Sequence, residues 1–302
     1  MSHSVESIAV LGLGLIGGSL ARALRQNGFA RRVVGYGRRQ RSLQIGMELG
    51  VIDSFTLDLD EVLDQCDMVV IGAPTLVAAE LVKSIFTKLP GRVTAPVITD
   101  VASVKGNLKV AALESMSTFP PNLVLAHPIA GSEKSGVEAS SADLFLNHRV
   151  ILTPEESNSV EAVELVCAMW RSVGAEVVKM SVAEHDKVLA ATSHLPHMLA
   201  YALVDALASA EANEDIFRFA AGGFRDFTRI ASSDPVMWRD IAIANQTALL
   251  QSIDMFAAHL ADLRTAVADA NGDQLHATFE RAKAARDQFA IDMAGRNQRK
   301  RG

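Results

Sequence analysis

Short apolar runs rich in β-branched residues alternate with longer amphipathic stretches through the first 180 or so residues. Apolar residues in the longer stretches recur every three or four positions, which is typical of helices that bury one face. Strands separated by helices of this length predict βαβ units, and so an α/β fold with a Rossmann-type, doubly wound, mainly parallel sheet. The predicted strands are 7–11, 32–36, 68–72, 97–100, 123–126, 149–152 and 176–178. The predicted helices are 16–27, 75–88, 104–114 and 160–172.

The pattern changes after about residue 180. Residues 183–294 contain almost no β-branched clusters and are rich in Ala, Leu, Asp, Arg and Met at helical spacing. A strand-rich half followed by a helix-rich half favours two domains. We therefore expect a dinucleotide-binding type of α/β domain over residues 1–180 and an all-α domain over residues 181–302.

Composition narrows the class of protein. The chain has 302 residues, of which 49% are hydrophobic and 21% charged, so it can bury a sizeable core. A formal net charge of −6 and an aromatic content of 5% argue against a nucleic-acid-binding protein. The two cysteines, Cys66 and Cys167, lie far apart, which excludes a disulfide framework and a zinc cluster. We predict no metal site.

Neither the first residues nor the longest apolar stretch predicts a membrane protein. The first residues lack the basic segment followed by an apolar segment that marks a secretory leader. The longest apolar stretch, residues 188–210, contains His194, Pro196, His197 and Asp205, which are costly in hydrocarbon. We therefore expect a cytoplasmic protein without a membrane partner.

A glycine-rich turn follows the first predicted strand and opens the first predicted helix. Gly12, Gly14 and Gly17 stand in the spacing G-x-G-x-x-G. The first permits the tight turn, the second lets the backbone approach a pyrophosphate, and the third lets the helix pack close to the strand. The N–H groups that open the helix, including those of Leu15 and Ile16, are then available to the phosphates. In this context the turn predicts a dinucleotide cofactor.

The end of the second predicted strand bears on which nicotinamide cofactor is used. An acid there would bind the ribose 2′-hydroxyl, but the chain has Gly37, followed by Arg38 and Arg39. Guanidinium groups can pair with a 2′-phosphate, so the sequence favours NADP over NAD. If the arginines instead begin a solvated helix, or if one stacks on the adenine, NAD stays usable. Ala73 and Pro74, at the next strand exit, are expected to line the cofactor.

Chemistry is expected where strands end on the carboxyl side of the sheet, since open α/β folds bind ligands there. His127 stands directly after the predicted strand 123–126, before a loop with Pro and Gly residues that would hold it rigidly. Oxidation of an alcohol requires a base for the hydroxyl proton, and an imidazole suits that task. We predict that His127 is this base and that Ser103, at the neighbouring strand exit, hydrogen-bonds to it.

The helical half adds two groups of candidate ligands. His194 and His197 are three residues apart and share a helix face. Without a third ligand at suitable spacing, they favour substrate contact or a core position over a metal site. Arg225 and Arg229 are four residues apart, so on one helix face they could bind a dicarboxylate. For Arg225, pairing with Asp226 at the surface is the alternative.

In this order and spacing, the motifs resemble those of the prephenate/arogenate (cyclohexadienyl) dehydrogenase family of tyrosine biosynthesis. The resemblance covers nearly the whole chain. It implies oxidative decarboxylation of prephenate to 4-hydroxyphenylpyruvate, or of arogenate to tyrosine, with hydride transfer to NAD or NADP. The matching segments are GLGLIGGS (12–19), DVASVK (100–105), HPIAG (127–131), SHLPH (193–197) and GFRDFTR (223–229), followed by Asp234, Pro235 and Trp238.

The resemblance also implies roles for individual residues. It implies that His127 is the catalytic histidine with Ser103 as its partner, that Arg229 binds a substrate carboxylate, and that Glu133 with Asp226 controls access to the pocket. The helical domain would interlock with its twin in a homodimer. Many members carry an acid where this chain has Gly37, which leaves the choice of cofactor open. The other residues assigned to substrate binding are Ser132, Ser193, His197, Arg225 and Trp238.

Two other interpretations use the same fold. A β-hydroxyacid dehydrogenase or an imine reductase also joins a nucleotide-binding domain to a helical one, but such enzymes rely on a lysine in the helical domain or lack a clear base. A non-catalytic nucleotide sensor predicts a degraded catalytic set, whereas His127, Ser103, His197 and Arg229 are all present. The sequence leaves open whether prephenate or arogenate is the substrate, whether tyrosine inhibits, and whether the oligomer is larger than a dimer.

Overall fold

The computed structural model describes residues 4–92, 94–131, 134–210 and 213–299. The strands in this part are β1 Val5–Leu11, β2 Ala30–Tyr36, β3 Ser54–Thr56, β4 Met68–Ile71, β5 Val97–Asp100, β6 Leu123–Ile129, β7 Arg149–Thr153 and β8 Glu176–Lys179. The helices are α1 Leu15–Gln26, α2 Gln40–Glu48, α3 Leu59–Gln65, α4 Thr75–Lys88, α5 Gly106–Ser115, α6 Val160–Ser172, α7 Val182–Leu189, α8 Leu195–Ala208, α9 Asn213–Arg218, α10 Gly222–Thr228, α11 Pro235–Ala244, α12 Gln246–Ala268 and α13 Gly272–Arg299. A π-helical turn, Ala190–His194, joins α7 to α8, and 3-10 turns lie at Val137–Ala139 and Arg229–Ser232.

The strands form one sheet in the order β3-β2-β1-β4-β5-β6-β7-β8. Neighbours are parallel except β6 and β7, which are antiparallel. The chain first adds β2 and β3 on one side of β1 and then adds the remaining strands on the other side. The predicted doubly wound, mainly parallel sheet is therefore confirmed. The order reverses between β1 and β4, and sheets of this kind bind ligands outside the carboxyl ends of the strands at such a point.

Both faces of the sheet are buried. Along β1, Ile8 and Val10 belong to one apolar core while Ala9 and Leu11 belong to another, because successive side chains of a strand point to opposite faces. Helix α1 packs on the first core and α4 packs on the second. Burial on both faces explains why these strands have continuous apolar runs rather than alternating polar and apolar residues.

The end of β6 differs from the prediction. The ladder with β5 stops at Thr99 and Val124, but β6 continues to Ile129 because β7 pairs with it in the antiparallel direction. His127 lies within the strand, opposite Ile151. The prediction that His127 follows the end of the strand is therefore wrong, and a second strand, rather than a Pro/Gly loop, holds its backbone.

Strand β3, Ser54–Thr56, was not predicted. It has three half-buried residues, which carry too little pattern to be recognised in the sequence. The predicted strand 97–100 and the predicted helices 75–88 and 160–172 have the observed bounds. The other predicted elements differ from the observed ones by a few residues at their ends.

The chain beyond β8 is helical, as predicted. By compactness the chain divides into two units, residues 1–249 and 250–302. The first contains the whole sheet and α1 to α11, and the second contains most of α12 and all of α13. The domain boundary near residue 180 stays a prediction. Among the helices of the described ranges, none is long and apolar enough to cross a membrane.

A buried ion pair joins the loop after β5 to β6. Lys105 and Asp100 are both fully buried, and the Lys105 ammonium contacts the Asp100 carboxylate. The ammonium also donates to Ala126 O at 2.6 Å, and Asp100 accepts from the N–H groups of Ala102 at 2.8 Å and Ala126 at 3.0 Å. Burial lowers the pKa of Lys105, and the charge of Asp100 opposes that effect. These contacts hold β6 at the residue before His127.

Replacement of Lys105 by methionine tests the weight of this pair. Lys105→Met removes the cation and leaves the Asp100 carboxylate buried without it, which costs about 3–5 kcal/mol in comparable cases. We expect the free energy of unfolding to fall by that amount, measured by urea denaturation with circular dichroism. Lys88→Met breaks the exposed pair with Asp60 and serves as the control, with a nearly unchanged midpoint. Superimposable curves for Lys105→Met and the parent would contradict the assignment.

Candidate active site

Three side chains form a hydrogen-bonded chain behind the carboxyl edge of the sheet. His127 Nδ1 lies 2.9 Å from His185 Nε2, and His185 Nδ1 lies 2.8 Å from Asp186 Oδ1. His127 comes from β6, whereas His185 and Asp186 come from α7. His185 is fully buried and His127 is 9% exposed. An imidazole at a ligand-binding edge is thus backed by a second imidazole and a carboxylate.

Asp186 also caps the start of α5. Its Oδ1 accepts from Lys105 N at 2.9 Å and its Oδ2 accepts from Gly106 N at 2.7 Å. The first turn of a helix leaves N–H groups without partners inside the helix, and a carboxylate satisfies them well. Asp186 is therefore fixed in place from two directions, by α5 and by His185.

The buried histidines are held neutral. Burial keeps the pKa of His127 well below the usual 6.5, and the nearby His185, Lys105 and His194 lower it further. Burial also lowers the pKa of His185, although the hydrogen bond with Asp186 opposes this. Burial alone would raise the pKa of Asp186, but hydrogen bonds from His185 and from the backbone of α5 outweigh it, so its pKa is lowered. At pH 7 the chain consists of two neutral imidazoles and one carboxylate.

Ser103 lies at the predicted strand exit but does not make the contact with His127 that the sequence predicts. It is half-buried in the loop after β5, and within the described part of the chain no hydrogen bond joins its hydroxyl to His127. His185 takes the place beside His127 Nδ1 instead. Sequence reasoning missed His185 and Asp186 because they lie 58 and 59 residues after His127, on a helix with no recognisable motif. The available signal in the sequence was a histidine directly followed by an aspartate, a base next to an acid.

A second pair of rings lies on the helical side. The rings of His197 and Trp238 stack at 3.5 Å between centroids with an angle of 19° between their planes. His197 Nδ1 donates to Ser193 O at 2.9 Å, one turn back in the helix. Burial lowers the pKa of His197, and the positive charge of Arg229 lowers it too. The structure therefore brings Ser193, His197, Trp238 and Arg229 to one region.

The π-helical turn Ala190–His194 places two histidines in different surroundings. His194 is buried, and its Nδ1 lies 3.1 Å from Asn245 Nδ2, which also donates to Asp186 O at 2.8 Å. Burial lowers the pKa of His194 to about 4. His194 is a core residue, whereas His197 is half-buried beside Trp238. Single π-helical turns inside α-helices occur frequently at functional sites.

The two arginines that were predicted to share a helix do not. Helix α10 ends at Thr228, and Arg229 begins the 3-10 turn. Arg225 is exposed and its Nε lies 3.6 Å from Asp226 Oδ1, which is the surface pairing left open as the alternative. Arg229 is also exposed. Ser132 and Glu133 lie outside the described residues.

The glycine-rich turn has the geometry that a dinucleotide needs. Gly12 has φ of +107°, and a Cβ there would lie 2.7 Å from Gly72 O. A Cβ on Gly17 would lie 2.2 Å from Gly12 O, so the helix approaches the turn more closely than a side chain allows. A Cβ on Gly14 would meet no described atom within 4 Å, which leaves open space at this position. The described protein atoms therefore leave room beside Gly14 for a ligand.

The start of α1 fits a phosphate group. No described side chain caps this helix, and its first turn, which begins with Leu15 and Ile16, carries no acid. Its free N–H groups and the positive end of the helix dipole favour an anion. Ala73 is half-buried and Pro74 is exposed and opens α4 across the same edge, where the sequence predicts a cofactor contact. These residues fit a dinucleotide.

The end of β2 has two free cations. Gly37 is half-buried, and a Cβ on it would meet only Leu43, at 3.8 Å. Arg38 and Arg39 are exposed, and Arg39 is the residue before α2. Neither guanidinium has a hydrogen bond or an ion pair with any residue that the structure describes. The arginines stay available for a ligand that carries negative charge.

Taken together, the edge has a cradle for an anionic dinucleotide beside β1 and a buried neutral base on β6. Both lie on strands of one sheet, the cradle at the end of β1 and the base in the part of β6 that extends beyond its ladder with β5. The exposed Arg229 and the half-buried His197 offer polar groups to a substrate. Such a set can bind a nicotinamide cofactor, take a proton from a hydroxyl group and bind an anionic substrate.

Known proteins resemble this chain along nearly its whole length. A family model described as prephenate dehydrogenase, nucleotide-binding domain, matches residues 20–179, and one described as prephenate dehydrogenase, dimerization domain, matches residues 181–281. The cyclohexadienyl dehydrogenase of Zymomonas mobilis is 36% identical over 285 residues, covering 93% of this chain and 95% of that protein. The prephenate dehydrogenase of Bacillus subtilis is 34% identical over 307 residues, covering 98% and 79%.

Solved structures agree with these relatives. Prephenate dehydrogenase from Aquifex aeolicus, in complex with hydroxyphenyl propionate and NAD+, has a TM-score of 0.86 and 35% identity, covering 96% of this chain and 100% of that chain. Arogenate dehydrogenase from Synechocystis has a TM-score of 0.78 and 29% identity, covering 94% and 99%. The chain therefore belongs to the prephenate dehydrogenase family.

Proposed function

We propose that this enzyme oxidatively decarboxylates prephenate to 4-hydroxyphenylpyruvate in tyrosine biosynthesis, with arogenate as a second substrate that would give tyrosine. The observation that carries the proposal is the buried, neutral imidazole of His127 on the sheet edge that also carries the glycine-rich cradle. Membership of the family supports the same reaction. Relatives named cyclohexadienyl dehydrogenase and arogenate dehydrogenase support the second substrate.

The reaction needs a base that accepts the proton of the substrate hydroxyl group. The bound nicotinamide supplies the hydride acceptor. His127 accepts the proton of the substrate hydroxyl, whose carbon is being oxidised to a carbonyl. The bond from the ring to its carboxylate then breaks, CO₂ leaves, and the electron pair of that bond makes the ring aromatic. The phenol oxygen regains the proton from His127. Orientation and proton transfer are thus the tasks of this chain's own residues.

The carboxylates of the substrate need cations and polar donors. We assign Arg229 to a carboxylate, because it is exposed beside the stacked pair of His197 and Trp238. Trp238 Nε1 is buried without a hydrogen-bond partner in the described structure, so it is available to a polar group of the substrate. Ser103 and Ser193 line the same region in this proposal. Roles for Arg225, Ser132 and Glu133 stay predictions.

For the cofactor, Gly12, Gly14, Leu15, Ile16 and Gly17 would hold the pyrophosphate. Two arginines whose guanidinium groups have no partner among the described residues, and the absence of an acid at the end of β2, support NADP over NAD. The solved complex of the Aquifex aeolicus protein contains NAD+, so this preference is a property to be measured for this chain.

We also propose that the enzyme is a homodimer. The match to a dimerization domain over residues 181–281 supports this. So do large apolar side chains that α12 and α13 leave exposed, namely Leu260, Val267, Phe279, Phe289 and Ile291. The cytoplasmic location stays a prediction.

Replacement of His127 by asparagine tests the base. We expect His127→Asn to lower kcat by about 10²–10⁴-fold, the usual contribution of a general base, with unchanged cofactor affinity measured by calorimetry. In the parent, kcat/KM should fall only below pH 6.5, since the lowered pKa keeps His127 neutral above it. His276→Asn, at an exposed site on α13, is the control. Normal turnover in His127→Asn, or an acid limb centred above pH 6.5, would refute the role.

Replacement of Arg229 by alanine tests carboxylate binding. Loss of a charge-assisted hydrogen bond weakens binding by about 1.5–3 kcal/mol, so we expect KM for prephenate to rise by about 10-fold or more with a smaller change in kcat. Steady-state kinetics at saturating cofactor measure both. Arg31→Ala, which removes an exposed pair with Glu6, should leave KM unchanged. Equal KM values for Arg229→Ala and the parent would remove this assignment.

A matrix of two substrates and two cofactors tests the proposed specificity. The parent should turn over prephenate with NADP at a higher kcat/KM than with NAD. The double variant Arg38→Gln and Arg39→Gln should weaken NADP by about 10-fold or more while NAD changes little, because the lost contacts reach only the 2′-phosphate. Arg32→Gln, near the start of the same strand, is the control. If the parent enzyme already prefers NAD, the proposed preference for NADP is wrong.

A further inference from the structure

The hydrogen atoms in the chain from Asp186 to His127 can be placed by elimination. The carboxylate of Asp186 can only accept, and it already accepts from the N–H groups of Lys105 and Gly106. The hydrogen in the 2.8 Å contact with His185 must therefore sit on His185 Nδ1. A neutral His185 then has only a lone pair on Nε2, so the hydrogen in the 2.9 Å contact must sit on His127 Nδ1. His127 Nε2 is left with a lone pair.

We propose that His185 and Asp186 are positioning residues, which hold His127 in the tautomer whose Nε2 is free to take the substrate's hydroxyl proton. This inference rests on the proposed dehydrogenase function and adds two residues to its machinery. Neither residue needs to touch substrate or cofactor. Their effect passes through the imidazole of His127.

The same contacts stabilise the protonated form of His127 during the reaction. Lys105 and His194 face the histidines as well, and both disfavour positive charge on His127. Against them, a protonated His127 donates from Nδ1 to His185 Nε2, a charge-assisted bond, and Asp186 supplies a negative charge behind it. Removing His185 would take away the acceptor of this bond, and removing Asp186 would take away the negative charge behind it.

Two substitutions of His185 separate tautomer control from simple packing. Glutamine can turn its amide oxygen towards His127 Nδ1 and accept the hydrogen, whereas leucine fills space but cannot accept. We expect His185→Leu to lower kcat by about 100-fold, with KM and cofactor affinity within about twofold of the parent values. His185→Gln should recover at least about tenfold of that loss. A merely structural role would reduce activity in both variants alike.

Asp186→Asn provides an opposite test. With its oxygen on the N–H of Gly106, its NH₂ group would face His185 Nδ1 and donate to it, at the loss of the bond from Lys105 N. This favours the reversed arrangement, with the hydrogen on His127 Nε2, where it blocks proton transfer. The corresponding change in a serine protease lowers kcat by about 10⁴-fold. We expect a loss of about 10²-fold or more here. Asp58→Asn, at the Asp that caps α3, controls for the loss of a carboxylate charge at a helix cap and should keep parental kcat.

Nuclear magnetic resonance reads the tautomer without using activity. In protein labelled with ¹⁵N in histidine, the His127 signals are those missing from the spectrum of His127→Asn. We expect the hydrogen on Nδ1 in the parent and on Nε2 in Asp186→Asn. A parent hydrogen on Nε2, or parental kcat in folded His185→Leu, overturns the proposal.

The experiment also separates this inference from the proposed function. If the parent turns over no prephenate and no arogenate, the function fails, while the spectrum of the parent still decides the tautomer. If the parent is active and His127→Asn is not, but His185→Leu retains parental kcat, the function stands and the positioning role falls. Thermal unfolding of each variant establishes that it is folded. If Asp186→Asn does not fold, the spectrum of the parent still decides the tautomer of His127.

Discussion

Lys105 carries an ammonium group into the interior, where Asp100 is its ionic partner. Its side chain also bonds to the carbonyl of Ala126, the residue before His127, and its backbone N–H bonds to Asp186. From Asp186 the contacts return through His185 to His127. A closed ring of interactions therefore surrounds the base. Lys105 therefore helps to position His127 in two ways. Its side chain bonds to the residue before His127, and its backbone N–H bonds to Asp186, which holds His185.

Charge is distributed so that each group can do a different task. The histidines are buried and neutral, whereas Arg38, Arg39 and Arg229 stand exposed with their charges available to ligands. A buried cation next to the base would make it a poor proton acceptor unless a carboxylate offset it, and Asp100 supplies that offset for Lys105. In the glycine-rich turn, Gly14 borders open space, whereas Gly12 and Gly17 let the turn and helix α1 pack closely.

The sequence predicts most of the architecture because long helices and strands show a clear period of apolar residues and a typical residue composition. The bounds of α4 and α6 follow from their spacing alone, and the glycine spacing locates the cradle. The short strand Ser54–Thr56 and the antiparallel extension of β6 could not be predicted, since both depend on a neighbouring strand far away in sequence. For the same reason His127 was recognised but His185 was not, and Ser103 was assigned a contact that His185 makes. Which side chain fills a gap behind a base is decided by tertiary packing.

The π-helical turn between α7 and α8 makes the backbone geometry of this segment as important as its residues. A regular helix rotates by about 100° per residue, and a π-helical turn accommodates one extra residue within the turn. If the same residues of Ala190–His194 adopted α geometry, every later side chain would swing by about that angle around the axis. His197 would then leave the ring of Trp238 while His185, before the turn, stayed where it is. The π geometry therefore sets the orientation of His197 relative to the histidine pair without contributing a side chain to either.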